Sequence, residues 1–268
     1  MGGCAFCDAA GSRAPYCPPG ASIPEQVRLG IERFSRRTKA ARFIVYFQAF
    51  SGTYAPTEVL RERYESALCD PRIIGLSVAT RSDCLTPEAL DVVASYVERL
   101  DEVRLEFGLQ TSSVEVLEAM GCGHTPEDFI AATLLAHEAR VKVAAHVIFG
   151  LPGDQPENVY ACAGIINSLG VEGVKIHNLY LTRDSRLGRL YQEKPFPMMA
   201  RDEYIAHVAE FIARLRPETI IERVAGDAPR GQRLAPDWEI AKQSQWQIIE
   251  AELRRRGLVQ GALASNPT

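Results

Sequence analysis

Several signals that place a chain quickly are missing from these 268 residues. Neither Gly-x-Gly-x-x-Gly nor a P-loop occurs, so no nucleotide fingerprint decides the fold. No sequence repeat is visible. The most apolar stretches, Val143–Gly153 and Val159–Val171, are too short and too interrupted to span a bilayer. The N-terminus lacks the charged and apolar regions of a secretory signal and the Ser or Thr of a myristoylation signal. No charge excess stands out either: the formal net charge of −4 does not favour a strongly nucleic-acid-binding surface overall. The seven cysteines are odd in number, and a disulfide scaffold does not suit a chain this long. Reduced thiols in the cytoplasm, away from membranes, are the expectation.

What is present suits a globular α/β protein. Hydrophobic residues make up 46% and charged residues 24%, enough for a sizeable core and against disorder. Ser22-Ile23-Pro24-Glu25 is a capping box, and Val27, Ile31 and Phe34 follow at helical spacing, so the pattern predicts a helix over 23–38. It ends in Arg36, Arg37 and Lys39. These suit the helix C-terminus and, with Arg33 and Arg42, also a basic patch for nucleic acid. Short apolar, β-branched runs predict strands over 43–47, 73–78, 103–109, 141–149, 173–181 and 219–224. Helices are expected over 56–68, 87–99, 113–119, 126–139, 155–168, 201–215 and 237–256. Residues 8–21, the stretch up to Pro197 and residues 226–236 read as loops. The tail 258–268 reads as loose, with Gln260-Gly261 able to dock back.

Strands alternate with helices, so the sheet is expected to be parallel with right-handed crossovers. Polar and glycine residues gather just after strand ends, where such folds place their sites. A partial (β/α)6 barrel fits, with a doubly wound open sheet as the alternative. Residues 1–225 form the expected core, and 226–268 a C-terminal loop and helix packed on it.

Met1-Gly2-Gly3-Cys4-Ala5-Phe6-Cys7 places two thiols two residues apart on a glycine-rich stretch. Cys-x-x-Cys lets two thiolates reach one metal or cluster from a single turn. A redox dithiol, or two incidental thiols, are the alternatives. The nearest further thiol in sequence is Cys17.

The motifs in order resemble a family. Gly-Gly-Cys-Ala-Phe-Cys at 2–7 is similar to the end of the cluster loop in radical S-adenosylmethionine (SAM) enzymes. Tyr46-Phe47-Gln48-Ala49-Phe50, Thr53-Tyr54, Thr80-Arg81-Ser82-Asp83-Cys84 and Glu106-Phe107-Gly108-Leu109-Gln110-Thr111 follow. His146-Val147-Ile148-Phe149-Gly150-Leu151-Pro152-Gly153-Asp154, Lys175-Ile176-His177 and Ala235-Pro236-Asp237-Trp238 complete the series. Over about 2–261 this resembles a bacterial radical SAM family related to the SAM domain of the elongator catalytic subunit.

The resemblance implies a radical SAM barrel, a [4Fe-4S] cluster and SAM as cofactors, and hydrogen abstraction from a substrate after reductive SAM cleavage. It implies a tRNA-modification role and an electron donor such as flavodoxin or ferredoxin. Cys4 and Cys7 match two cluster ligands. Gln48 and Thr53 match the region holding the methionine amino group. Glu106, Gln110 and Thr111 match polar cofactor contacts near the ribose and carboxylate. Ile148 and Gly150 lie in the strand flanking the adenine, with Gly150 expected to leave a slot for it.

Each residue also has a plainer reading. Glu106 can be a satisfied strand-end carboxylate, His146 and His177 structural histidines, Gly150–Gly153 a turn and Trp238 packing. Arg81 and Asp83 either pair or meet substrate. Two departures from the family stand out. The family's first ligand cysteine and first strand lie upstream of the residues matched here. The expectation is therefore a shortened copy with an apolar edge at 43–47, poor solubility and little bound cluster, or Cys17 as third ligand. And Gly121-Cys122-Gly123-His124 stands where the family more often has Asn-Arg-Gly-His. A degenerate SAM-binding domain without cluster, and a zinc-dependent barrel enzyme, are the competing functions.

Overall fold

The computed structural model describes residues 3–7, 14, 16–228 and 231–264. Gly2 of the glycine-rich motif, most of the expected loop over 8–15, residues 229–230 of the 226–236 loop and the tail end 265–268 lie outside the described residues.

In chain order the elements are α1 (Ile23–Thr38), β1 (Phe43–Phe47), α2 (Thr57–Ala67), β2 (Ile73–Thr80), α3 (Pro87–Ala94), β3 (Glu102–Gln110), α4 (Val114–Ala119), α5 (Pro126–Glu138) and β4 (Lys142–Phe149). Then follow α6 (Pro156–Leu169), β5 (Gly173–Asn178), β6 (Leu181–Thr182), α7 (Arg186–Glu193), α8 (Arg201–Arg214), β7 (Ile220–Arg223), β8 (Arg233–Ala235) and α9 (Gln245–Arg256). Six strands form one sheet in the order β1-β2-β3-β4-β5-β7, and β6 and β8 form a second, two-stranded one. Pairing is parallel between β1 and β2, β2 and β3, β4 and β5, and β5 and β7. The expected parallel α/β architecture is therefore present.

Local chemistry sets the helix starts. Glu25 accepts from the Ser22 N–H at 2.7 Å, as the capping box requires. Thr86, Ser113 and Ser185 accept from backbone N–H groups three residues on. Asp128 and Thr125 cap each other reciprocally at the start of α5.

Where the sequence reading fails, a side chain has taken a backbone group. The helix expected over 87–99 ends at Ala94, and the Ser95 hydroxyl donates to the Val92 carbonyl. The helix expected from 237 starts only at Gln245. Before it, Arg233 donates to the Trp238 carbonyl at 2.6 Å and the Trp238 indole donates to the Met199 carbonyl at 2.9 Å. The strand expected over 173–181 stops at Asn178. The loop expected up to Pro197 contains β6 and α7, and the loop expected over 226–236 contains β8, paired antiparallel to β6.

The chain forms two compact units. One comprises Ala10–Phe107 and Leu134–Val143 and is called the α1 unit here. The other comprises Met1–Ala9, Gly108–Thr133 and Ala144–Thr268 and is called the cysteine unit.

In the α1 unit, β1 lies at the sheet edge. Leu60, Tyr64, Leu76, Val78, Val92 and Val93 are fully buried between strands and helices. Tyr64 meets Phe47 at 5.1 Å and Tyr96 at 6.2 Å between ring centroids, both edge-on.

In the cysteine unit, alternation along β4 and β5 gives the sheet two distinct faces. Phe149 packs its ring among Tyr160, Tyr204, His207 and Phe211 of α6 and α8. Val147, Val174 and Ile176 share that helix-covered face and are fully buried. Ala144, His146, Ile148, Lys175 and His177 lie on the opposite face. The tail docks as the sequence allowed: Gln260 donates to the carbonyls of Arg216 and Thr219, and the Leu263 N–H to the Ala213 carbonyl.

Gly52 shows how tightly the loop after β1 is seated. Its N–H donates to the Ala79 carbonyl at 2.8 Å, and the Tyr64 hydroxyl donates to its carbonyl at 2.9 Å. A Cβ there would lie 2.6 Å from Val78 Cγ1 and 2.9 Å from the Ala79 oxygen. Gly52→Ala is therefore expected to cost roughly 1–3 kcal/mol of stability through overpacking. Thermal unfolding of the variant beside the parent measures this, and an unchanged midpoint would refute it.

Candidate active site

The cysteine pair sits on a turn closed by the Cys7 N–H donating to the Cys4 carbonyl at 3.0 Å. Between the two thiols, Ala5 is held from both sides. Its N–H donates to the Met120 carbonyl at the end of α4, and its carbonyl accepts from the Leu187 N–H at the start of α7, each at 2.7 Å. Ala5 is only 2% exposed and packs into a cluster with Val116, Met120, Ile148, Leu151 and Leu187. Cys4 is half-buried and Cys7 exposed, so both thiols remain accessible on a fixed backbone.

Arg186 completes the anchor. Its guanidinium donates to the same Met120 carbonyl at 3.2 Å. Gly121 has a φ of +67°, and a Cβ there would lie 2.5 Å from Arg186 Nη2. A guanidinium thus stands at this turn although position 122 is a cysteine, which packs half-buried against the Ala5 cluster.

The two thiols on a held turn fit two thiolate positions of an iron–sulfur cluster. Among the described residues, no group of three His, Cys, Asp or Glu side chains is placed to hold one metal ion. Cys17, buried in the α1 unit, is thus not brought into such a group.

The strand tips carry the polar residues. Gln110 closes β3 at a φ of +64°, a left-handed conformation uncommon outside glycine and found at functional sites. Its amide lies where a Cβ on Gly108 would be, 2.2 Å from Nε2. Thr111, fully buried, accepts from the Ser113 N–H at 3.3 Å. After β4, Asp154 accepts from the Asn158 amide at 2.7 Å and the Gln155 N–H at 3.0 Å. Burial raises the Asp154 carboxyl above the usual carboxylate range, and hydrogen bonds from Asn158, Thr111 and Gln155 offset part of that. Gly150 has a φ of +89°, and a Cβ there would point at Met199 and Leu179, not into open space. The positive backbone angle is itself what calls for glycine at this position.

In the α1 unit, the expected site residues have defined partners. The Thr53 hydroxyl lies 2.6 Å from that of Thr80 and donates to the Cys84 carbonyl at 2.9 Å. Glu106, 1% exposed, accepts from the Ser77 hydroxyl at 2.6 Å and pairs with Arg104 at 3.2 Å. Arg81 and Asp83 pair with each other. Gln48 is half-buried just beyond β1. α7 and Arg186 were missed from sequence, although Ser185 as a cap and Leu187, Leu190 and Tyr191 at helical spacing were a readable signal.

A thiol turn and polar strand ends on a parallel sheet are features of an α/β protein with strand-end sites. Residues 1–163 match the family model described as Radical SAM superfamily, and residues 171–255 match the Radical_SAM C-terminal domain. The chain belongs to the radical SAM superfamily. It is 32% identical over 264 residues to an uncharacterized protein of Methanocaldococcus jannaschii, covering 97% of this chain and 82% of that one. A stretch of 86 residues is 35% identical to the tRNA uridine(34) acetyltransferase of the same organism, covering 32% of this chain and 15% of that protein. Among solved structures, an archaeal Methanocaldococcus infernus Elp3 with an N-terminal deletion superposes with a TM-score of 0.76 at 18% identity. That match covers 89% of this chain and 60% of the other and shows the fold. Among the described residues, no helix is long and apolar enough to cross a membrane.

The raised Asp154 pKa has a defined sign in stability. A carboxyl raised on folding stabilises the fold most while protonated, and that contribution is lost as pH climbs from the ordinary 3.8 through the raised value. The Asp154→Asn variant is therefore expected to gain stability relative to the parent as pH rises through that window. Melting curves at a series of pH values test it, and a pH-independent difference would refute it.

Proposed function

We propose that this chain is a radical SAM enzyme that holds a [4Fe-4S] cluster through Cys4 and Cys7, binds SAM, and acts on tRNA. The observation that carries the reading is the two-sided backbone anchor on Ala5, which fixes both thiols while leaving them accessible. When held there, such a cluster would supply the reducing electron for SAM cleavage, the chemistry by which this superfamily abstracts hydrogen from a substrate.

The protein's own residues bind and orient. Cys4 and Cys7 ligate the cluster. Gln110, at a left-handed backbone position closing β3, offers amide donors and an acceptor to the polar end of SAM. Thr111 and the Asp154 carboxyl stand behind it. Backbone groups of Ile148 and Gly150 flank the adenine. In the α1 unit, Thr53 and Glu106 fix their own loop and strand through the bonds they already make. The electron comes from a small donor such as flavodoxin or ferredoxin, and the reducing cytoplasm suits such a cluster.

Two features support tRNA as substrate. One relative's name carries tRNA uridine(34) chemistry. And Arg37 and Lys39 are exposed at the end of α1, beside Arg36, which pairs with Glu32.

Cys4→Ala and Cys7→Ala are each expected to abolish iron–sulfur absorption after anaerobic reconstitution, because each removes a thiolate. An unchanged spectrum in either variant refutes the ligand assignment, and zinc in place of iron in the parent refutes the cluster itself. Gln110→Gly is expected to keep or raise the melting temperature, since it relieves a strained backbone. It should weaken SAM about tenfold or more, the loss of a hydrogen bond to a charged group. Calorimetric SAM affinity equal to the parent would remove Gln110 from the site.

A further inference from the structure

Four ionisable side chains stand together on one face of the cysteine unit's strands. His146 on β4 and His177 on β5 stack with centroids 5.2 Å apart and planes 21° from parallel. In the ladder, His146 is opposite Lys175, and Ile148 is opposite His177. Lys175, 8% exposed, approaches Glu222 of β7 at 3.7 Å, an ion pair too long for a direct hydrogen bond. A Cβ on Gly173 would lie 2.4 Å from Glu222 Oε1, so the carboxylate rests across that glycine.

This face opposes the one covered by α6 and α8, where Val147, Phe149, Val174 and Ile176 are buried. Ile148, two residues along β4 from His146, belongs to the apolar cluster that seats Ala5 between the two cysteines. At about 3.3 Å of rise per residue, the histidine pair is one side-chain step, about 7 Å along the strand, from that cluster. A helix-covered sheet needs apolar residues on its buried face only. Partly buried charges and imidazoles on the other face, next to a cofactor anchor, are placed for a ligand.

We propose that His146 and His177 form a platform on which one unpaired nucleobase of the RNA substrate stacks, with Lys175 and Glu222 reading its edge. This rests on the tRNA reading above. Unstacked RNA bases are held on aromatic or imidazole faces and hydrogen-bonded along their edges, and enzymes that act on a base take it out of its stack. The row supplies both needs: a flat imidazole surface, an ammonium donor and a carboxylate acceptor. Gly226 borders the pair closely: a Cβ there would lie 3.2 Å from His177 Nδ1 and 3.3 Å from the Tyr180 ring.

The test uses the reconstituted full chain, SAM, a chemical reductant and unfractionated tRNA. Iron content, SAM affinity, tRNA affinity and tRNA-stimulated 5′-deoxyadenosine formation are read for the parent, His177→Ala, His177→Phe, His146→Ala and Gly226→Ala. Iron and SAM affinity are expected to be unchanged throughout. tRNA-stimulated product should fall about five- to a hundredfold in both alanine variants of the histidines, the range that stacking one base covers. His177→Phe, which keeps a flat ring, should recover most of that loss, whereas a merely structural histidine would not be rescued by a ring without nitrogens. Gly226→Ala, which displaces the imidazole by only tenths of an ångström, should show an intermediate loss. Parent-like stimulation in His177→Ala, or no recovery in His177→Phe, overturns the platform and leaves the tRNA reading standing. A parent that cleaves SAM but neither binds nor responds to tRNA overturns the tRNA reading, and the platform with it.

Discussion

The candidate site depends on one short antenna of backbone, the two hydrogen bonds of Ala5. A pair of thiols on a glycine-rich loop has no intrinsic order, and two ligands on an unheld segment would hold nothing in a defined place. The Met120 carbonyl and the Leu187 N–H remove that freedom by fixing the residue midway between the thiols. Apolar burial of Ala5 adds to the same end, since a larger side chain would not enter the cluster of Val116, Ile148 and Leu187 without displacing it. Arg186 then ties the α4 end to the α7 start at the same carbonyl.

The polar residues divide into two kinds. Thr53 and Glu106 are buried, and they bond to Thr80 and the Cys84 carbonyl and to Ser77 and Arg104 respectively. Buried polar groups satisfied in this way stiffen strand ends and set their register. Gln110 and Asp154 are different, because each carries a local cost, whereas the His146–His177 pair is marked by its stacking on a strand face. Gln110 holds an unfavourable backbone angle and Asp154 a carboxyl raised by burial. Such costs persist where the surrounding fold enforces them, and they mark where ligand chemistry is to be sought.

The basic end of α1 and the arginines of α9 show why a charge run cannot be interpreted from sequence alone. Arg254, Arg255 and Arg256 pair with Glu250, Glu252 and Glu210, so that run is neutralised within the cysteine unit. At α1, Arg36 and Arg42 have acidic partners while Arg33 lies over an aromatic ring. Both runs look alike in sequence, and the fold places carboxylates against all three arginines of α9 but against only part of the run at α1, where Arg37 and Lys39 are exposed.

The sequence by itself determined the alternation of strands and helices, the parallel sheet, the helix caps at Ser22, Thr86 and Ser113, and the Cys-x-x-Cys pair. These are local: the hydrophobic period and the capping atom lie within a few residues of what they specify. Tertiary structure decided the rest. Whether 237–244 is helix depended on Met199 and Arg233, which capture Trp238 from outside the segment. That Gly150 takes a positive backbone angle, with Met199 and Leu179 beside it, likewise depended on the fold. That α7 holds the cysteine turn, and that His146 meets His177, required strands and helices distant in sequence to be brought together. No local pattern encodes such pairings, because they are set by which faces must be buried once the sheet has formed.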